Sequence, residues 1–157
     1  MIKSTIIYLD VCCLNRPFDD QTQDRIHLEA EAVLLILKRI EEGKWIWKSS
    51  EVVQFEISQT PNLERRAQVQ LLTNFADETI VIDELIIQRA EILQNNGFKA
   101  YDALHLACAE SAKSSVFLTT DDRLLKRAQK TKNLLKVSVH NPLNWLQEQL
   151  HDTVNKS

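Results

Sequence analysis

Residues 114–130 read SSVFLTTDDRLLKRAQK. The first part, 114–120, is apolar and β-branched, the composition of a buried strand. The second part, 121–130, opens on two aspartates and continues as a helix. An aspartate suits that junction. Its carboxylate accepts bonds from the free amides of the first turn and meets the positive end of the helix dipole. One aspartate suffices for a cap, so the second calls for another role. A strand running straight into a helix is the repeating unit of an α/β fold with a parallel sheet.

The same alternation extends along most of the chain. Residues 4–9 (STIIYL) form a strand that ends on Asp10. VCCLNRPFDDQTQ, with Pro17 and several turn formers, reads as a loop. From about residue 23 to 42, Ile26, Ala30, Val33, Leu37 and Ile40 share one helical face, and Gly43 stops the run. KWIWKS is a short strand and SEVVQFEISQ a helix. A second helix follows in NLERRAQVQLLTNFAD, with Pro61 at its start. Then come the strand ETIVI, the helix DELIIQRAEILQNNG and the alanine-rich helix KAYDALHLACAESAK. After residues 114–130, KVSVH is a strand and NPLNWLQEQL the last helix. The chain reads as a single domain over residues 1–150, with 151–157 a frayed tail.

Its 157 residues suit one sizeable core, and 44% apolar content marks a globular chain. No apolar run approaches a membrane span of about 18 residues, and MIKSTIIYLD makes a poor signal peptide. A cytoplasmic protein without a membrane partner is the expectation. The net charge of −3 argues against coating nucleic acid by bulk charge, though a local basic patch remains compatible. Three cysteines, Cys12, Cys13 and Cys108, are an odd count without CxxC spacing. They read as buried thiols, with neither a disulfide framework nor a zinc site. Only two glycines are present, and neither GxGxxG nor a P-loop occurs.

In an open parallel sheet, ligands sit beyond the carboxyl ends of the strands. Acids collect at such positions. Asp10 ends the first strand, and Asp121 and Asp122 end the strand at 114–120. Asp102 lies in the first turn of the alanine-rich helix, and Glu51 and Glu56 follow KWIWKS. Two carboxylates about 5 Å apart repel by roughly 3 kcal/mol at an effective dielectric of 20. A cluster of four therefore needs cations or retained protons. Oxygen-only donors suit Mg²⁺ or Mn²⁺.

Four segments, YLDVCCLNRPFDD, SSEVVQFEI, KAYDALHLACAE and FLTTDDRLLKRA, occur in an order and spacing that resemble the PIN-domain family, metal-dependent nucleases that include VapC-type toxins. The likeness spans roughly residues 4–145. It implies a three-layer α/β/α fold with a mainly parallel sheet of four or five strands. It also implies hydrolysis of single-stranded RNA with Mg²⁺ or Mn²⁺ held by Asp10, Glu56, Asp102 and Asp121. On this reading Asp121 is the site acid and Asp122 the helix cap or an acid behind the site, though the adjacent pair leaves either free to turn inward. Thr119 matches the family's hydroxyl two residues before the last acid. A cognate antitoxin and a homodimer are partners the resemblance admits.

Asn15, Arg16, Lys99 and Arg123 lie within a few residues of the acids and are candidates for substrate binding, extended by Lys126, Arg127 and Lys130. Phe18, Trp45 and Trp47 are candidates for base stacking, although tryptophans within a strand more often serve packing. His105, one turn after Asp102, suits orientation of that carboxylate or a structural role. A non-catalytic PIN-fold module for RNA or protein binding is the alternative function. An aspartyl phosphatase with Asp10 as nucleophile would want a second aspartate two residues on, where Cys12 stands. A thiol nucleophile lacks an evident His–Cys dyad.

Overall fold

The structure is a computed structural model that describes residues 4–155. Five strands, β1 (Ile6–Leu9), β2 (Ile46–Ser50), β3 (Glu78–Ile80), β4 (Val116–Leu118) and β5 (Ser138–His140), form one sheet in the order β3-β2-β1-β4-β5. Every pairing is parallel. Among the described residues eight α-helices accompany it: α1 (Val11–Asn15), α2 (Asp24–Glu41), α3 (Glu51–Ser58), α4 (Leu63–Leu72), α5 (Glu84–Asn95), α6 (Ala100–Ser111), α7 (Asp122–Lys130) and α8 (Pro142–Asn155). The layers are α/β/α. α2 packs with α8, and α5 with α6, on either side of the sheet.

The central strands are short apolar runs because both their faces are covered. Ile7, Tyr8, Leu9, Trp47, Phe117 and Leu118 are wholly inaccessible to solvent. Tyr8 and Phe117 are register partners and stack at 5.2 Å between ring centroids. Trp47 is core, and Trp45 packs edge-on against Trp145 at 4.9 Å. The tryptophans therefore serve packing and are not placed to stack on bases.

Local signals set the helix limits. Past α2, Gly43 at φ +81° lets its own N–H reach Ile40 O and the Lys44 N–H reach Arg39 O, the two bonds of a Schellman stop. Two expectations need correction. The segment after Asp10 is not a loop: α1 is followed by a 3₁₀ turn over Arg16–Phe18. Asp10 Oδ1 accepts from Val11 N at 2.8 Å, and Val11, Cys13 and Leu14 are buried. Pro17 falls in the 3₁₀ turn's opening, where its missing N–H costs nothing. Pro61 does not open α4. Asn62 caps that helix by accepting from Arg65 N at 2.9 Å, and Pro61 precedes the cap.

The last helix runs on to Asn155, through most of the stretch read as a frayed tail. Residues 156–157 lie outside the described residues, as do 1–3. Among the described residues no helix is long and apolar enough to cross a membrane.

Candidate active site

The chain leaves β1 towards β2 on one side and reaches β4 on the other, so the topological switch point lies between β1 and β4. A crevice opens at the carboxyl ends of strands at such a point. Register places the site's residues there. Leu9 pairs with Leu118, which sets Asp10 and Thr119 at one level just beyond the sheet. Ile7 pairs with Trp47, which brings Ser50, at the end of β2, to the same level.

Asp10 is buried and held through both oxygens. Oδ1 accepts from Val11 N, while Oδ2 accepts from Thr119 Oγ1 at 2.7 Å and from Cys12 Sγ at 3.4 Å. Thr119 Oγ1 in turn accepts from Asp121 N at 3.1 Å. One hydroxyl thus fixes the acid after β1 against the acid after β4.

The paired aspartates divide their work differently from expectation. Asp121 is the N-cap of α7, accepting through Oδ1 from Arg123 N at 2.9 Å and Leu124 N at 3.3 Å. Asp122 is not the cap. It takes a two-point bond from Arg25 at 2.7 and 2.8 Å, and that guanidinium lowers its pKa. Asp121 lines the same cleft as Asp102; Asp122 lies outside it, turned towards α2.

Asp102, on α6, is half-buried. Burial first, then the charges of Asp10 and Asp121, push its pKa up to about 6. Neighbouring His105 relieves this only in part. Glu56 is partly buried and faces His105, with Oε1 2.5 Å from Nε2. The carboxylate only accepts, so Nε2 carries the hydrogen. Burial opposes a charged His105, but the Glu56 hydrogen bond and the charges of Asp10, Glu56 and Asp102 outweigh it and raise its pKa. Nδ1 shares a hydrogen bond with Tyr8 Oη at 2.7 Å, and Tyr8 Oη shares one with Ser50 Oγ at 2.6 Å. Burial raises the Tyr8 pKa well above its usual range, so the phenol keeps its proton.

The Tyr8–His105–Ser50 support is absent from the sequence reading, apart from His105 as an orienting group. Two spacings carry its signal. Tyr8 lies two residues before Asp10 on the same face of β1, and His105 lies one turn after Asp102.

Glu51 is exposed, and its Oε1 accepts from Ile82 N at 2.7 Å, tying α3 to the loop after β3. Asn15 donates to Val11 O and accepts from Arg65, both at 3.1 Å. Arg16 is committed to the buried Glu29 at 2.7 Å and to Asp19 at 3.3 Å. Both lie near the acids in sequence, yet their polar groups are used within the fold. Lys99, Arg123 and Arg127 instead line a small cleft of about 140 Å³ together with Asp102 and Asp121. None of the three makes an ion pair within 4 Å among the described residues. The Arg127 guanidinium lies over Gly97, whose φ is +102°; a Cβ there would stand 2.9 Å from its central carbon. A larger cavity, about 670 Å³, opens around Ser114, Lys136 and His140 and contains none of the acids.

The donor chemistry fits a hard divalent cation: four carboxylates, with Asp102 crowded by the charges of the other three. As placed, no three His, Cys, Asp or Glu side chains among the described residues form an arrangement that could hold one. Glu56 is turned onto His105, and Asp10 onto Thr119. Side-chain rotation has to bring the carboxylates together.

The crowding predicts a pH effect. The folded pKa of Asp102 lies above the unfolded value of about 3.9, so the folded chain binds that proton more tightly. Stability from this group is therefore greatest below about pH 4 and is lost as pH rises to about 6. In chelator at about pH 7.5, Asp102→Asn should melt above the wild type and lose that slope. Thermal melts across the range measure it; a lower melting temperature at the upper pH would contradict the crowding.

The PIN domain family model matches residues 7–130. No curated protein matches the sequence. Among solved structures, the chain is similar to one described as VapBC2 from Rickettsia felis bound to a DNA fragment from their promoter, with TM-score 0.56 and 13% identity over 87% of this chain and 98% of that one. It is also similar to VapBC-1 from nontypeable Haemophilus influenzae, with TM-score 0.55 and 14% identity over 88% and 98%. At such identities the likeness concerns the fold. The family match spans most of the sequence and includes all four segments that carry the acids: the chain belongs to the PIN domain family.

Proposed function

We propose that this protein is a divalent-cation-dependent endoribonuclease that hydrolyses single-stranded RNA in the cytoplasm, and that it is the toxin of a toxin–antitoxin pair. The observation that carries the reading is the gathering of Asp10, Glu56, Asp102 and Asp121 at the switch point, with Lys99 and Arg123 beside them. Acids alone would repel a polyanion; cations in the same cleft give its phosphates a place to sit. The VapBC likeness supports a cognate protein partner, and a homodimer is part of the same proposal.

Asp10 and Asp102 are the carboxylates assigned to Mg²⁺ or Mn²⁺, with Asp121 and Glu56 completing the set. A bound cation supplies Lewis-acid stabilisation of the charge developing on the phosphate. Thr119 holds the Asp10 carboxylate in its orientation, and the Asp121 cap bonds fix the fourth acid. His105, anchored on Tyr8, fixes the Glu56 carboxylate through its Nε2 hydrogen bond. Lys99 and Arg123 bind phosphates on either side of the cut; Thr119 and Asn15 act from behind the acids.

A PIN-fold binding module without catalysis is the second reading. The closed state of Glu56 and the lack of a preformed cation arrangement favour it. RNA cleavage separates the two. Purified protein should cut single-stranded RNA with Mg²⁺ or Mn²⁺ and stop in EDTA; cleavage undiminished in chelator would reject the metal. Glu56→Gln keeps an acceptor for His105 but loses the charge, and activity should fall about 10–100-fold. Glu51→Gln keeps its acceptor for Ile82 N, so it should cut normally and lose at most about 1 kcal/mol of stability. A dead but folded Glu51→Gln beside an active Glu56→Gln would reverse the assignment.

A further inference from the structure

Two aromatic side chains stand half-exposed on the two helices that carry Glu56 and Asp102. Phe55 on α3 and Tyr101 on α6 are each 49% accessible. Their rings stack, with centroids 6.2 Å apart and planes 24° from parallel. Each adjoins a site acid in sequence: Phe55 precedes Glu56, and Tyr101 precedes Asp102. The Glu56–His105 bond ties the same two helices together, so the pair is held at a fixed place relative to the acids. Burial in the core does not explain these rings, because both leave half their surface in water.

We infer that Phe55 and Tyr101 form a stacking platform for an unpaired nucleobase next to the phosphate held in the acid cleft. The inference rests on the nuclease reading and deepens it. Aromatic faces accept any base, provided it is not already paired in a duplex. Charge supports this occupant. Lys99 lies two residues before Tyr101, at the N-cap of α6, and shares the cleft with Arg123 and Arg127. A phosphate on Lys99 leaves its attached base at the start of the helix that carries Tyr101. An apolar protein partner would be served poorly by two rings whose sequence neighbours are Glu56, Lys99 and Asp102. The platform therefore selects single strands over duplexes, while the cations supply affinity without regard to sequence.

Binding can be read without cleavage by measuring fluorescence anisotropy of a short labelled single-stranded RNA on the intact chain in EDTA. A second probe carries an abasic stretch of the same length. Phe55→Ala/Tyr101→Ala should weaken binding of the normal RNA about 10-fold or more, since stacking contributes roughly 1–3 kcal/mol per base. It should leave the abasic RNA unchanged. Phe55→Trp and Tyr101→Phe should retain binding. Lys99→Ala should weaken both probes alike. Circular dichroism melts check that each variant folds.

Equal affinity of the wild type and the double alanine variant for normal RNA would overturn the platform and leave the nuclease reading standing. No RNA binding by the wild type, and no cleavage with Mn²⁺, would remove both. If the double variant keeps RNA affinity but sediments as a smaller species, the rings belong to a protein interface and the platform falls.

Discussion

Asp10→Asn should lose RNA cleavage on the order of 10³-fold and still fold. The fold tolerates the change because an amide keeps the acceptor that Val11 N needs, and Thr119 Oγ1 can turn to accept from the new NH₂. The chemistry does not tolerate it. Asp10 stands at the switch point with Asp102 and Asp121, and its negative charge is what an amide cannot supply. Losing about 4 kcal/mol of transition-state stabilisation, of the several that a cation provides, corresponds to roughly three decades in rate. Two measurements belong together: single-turnover cleavage of RNA and Mn²⁺ binding by calorimetry. Unchanged Mn²⁺ affinity would show that Asp10 is not a ligand, whatever happens to cleavage.

The largest expected effect on stability lies away from the acids. Glu29 on α2 is 1% exposed. It accepts from Arg16 at 2.7 Å, from Arg25 Nε at 3.2 Å and from Asn141 Nδ2 at 2.6 Å. Asn141 in turn caps the start of α8 through Leu143 N at 2.8 Å. One carboxylate thus joins the turn after α1, the first turns of α2 and the entry to α8. Glu29→Ala leaves the mostly buried Arg16 guanidinium with only the longer contact to Asp19, at 3.3 Å, as counter-charge. Breaking such a pair costs about 3–5 kcal/mol. Arg25 is half-exposed and rehydrates, and it keeps Asp122, so about 3 kcal/mol is the expected loss. For a chain of this size that lowers the melting temperature by roughly 6–12 °C. A variant melting within about 2 °C of the wild type would show that the network contributes little.

Glu29 was legible in part. It follows Ile26 by three residues and precedes Val33 by four, which puts an acid on the apolar face of α2. A carboxylate there needs a partner, but nothing local names Arg16, Arg25 and Asn141. The paired aspartates show the same limit. The sequence supports a cap and a second role at 121–122. Only the approach of Arg25, from α2, draws Asp122 away and leaves Asp121 to cap while facing Asp102. Phe55 is not legible as half of a pair, because its neighbours in sequence do not include Tyr101 and the exposed pair exists only where α3 meets α6.

The sequence by itself determined the alternation of strands and helices, most helix stops and the four acids at strand ends and on the helices α3 and α6. Those features depend on side-chain periodicity and capping within a few residues, and such interactions are complete before the chain folds back on itself. Helix α1 escaped because its apolar residues are too few to establish a period and Pro17 resembles a break. The tertiary structure decided how the acids are supported: Thr119 between Asp10 and Asp121, Tyr8 and Ser50 behind His105, Glu56 turned onto His105. These partners come from different strands and helices. Strand order and register bring them together, and a hydrogen bond needs its atoms placed to within a few tenths of an ångström, which no local pattern of residues can specify.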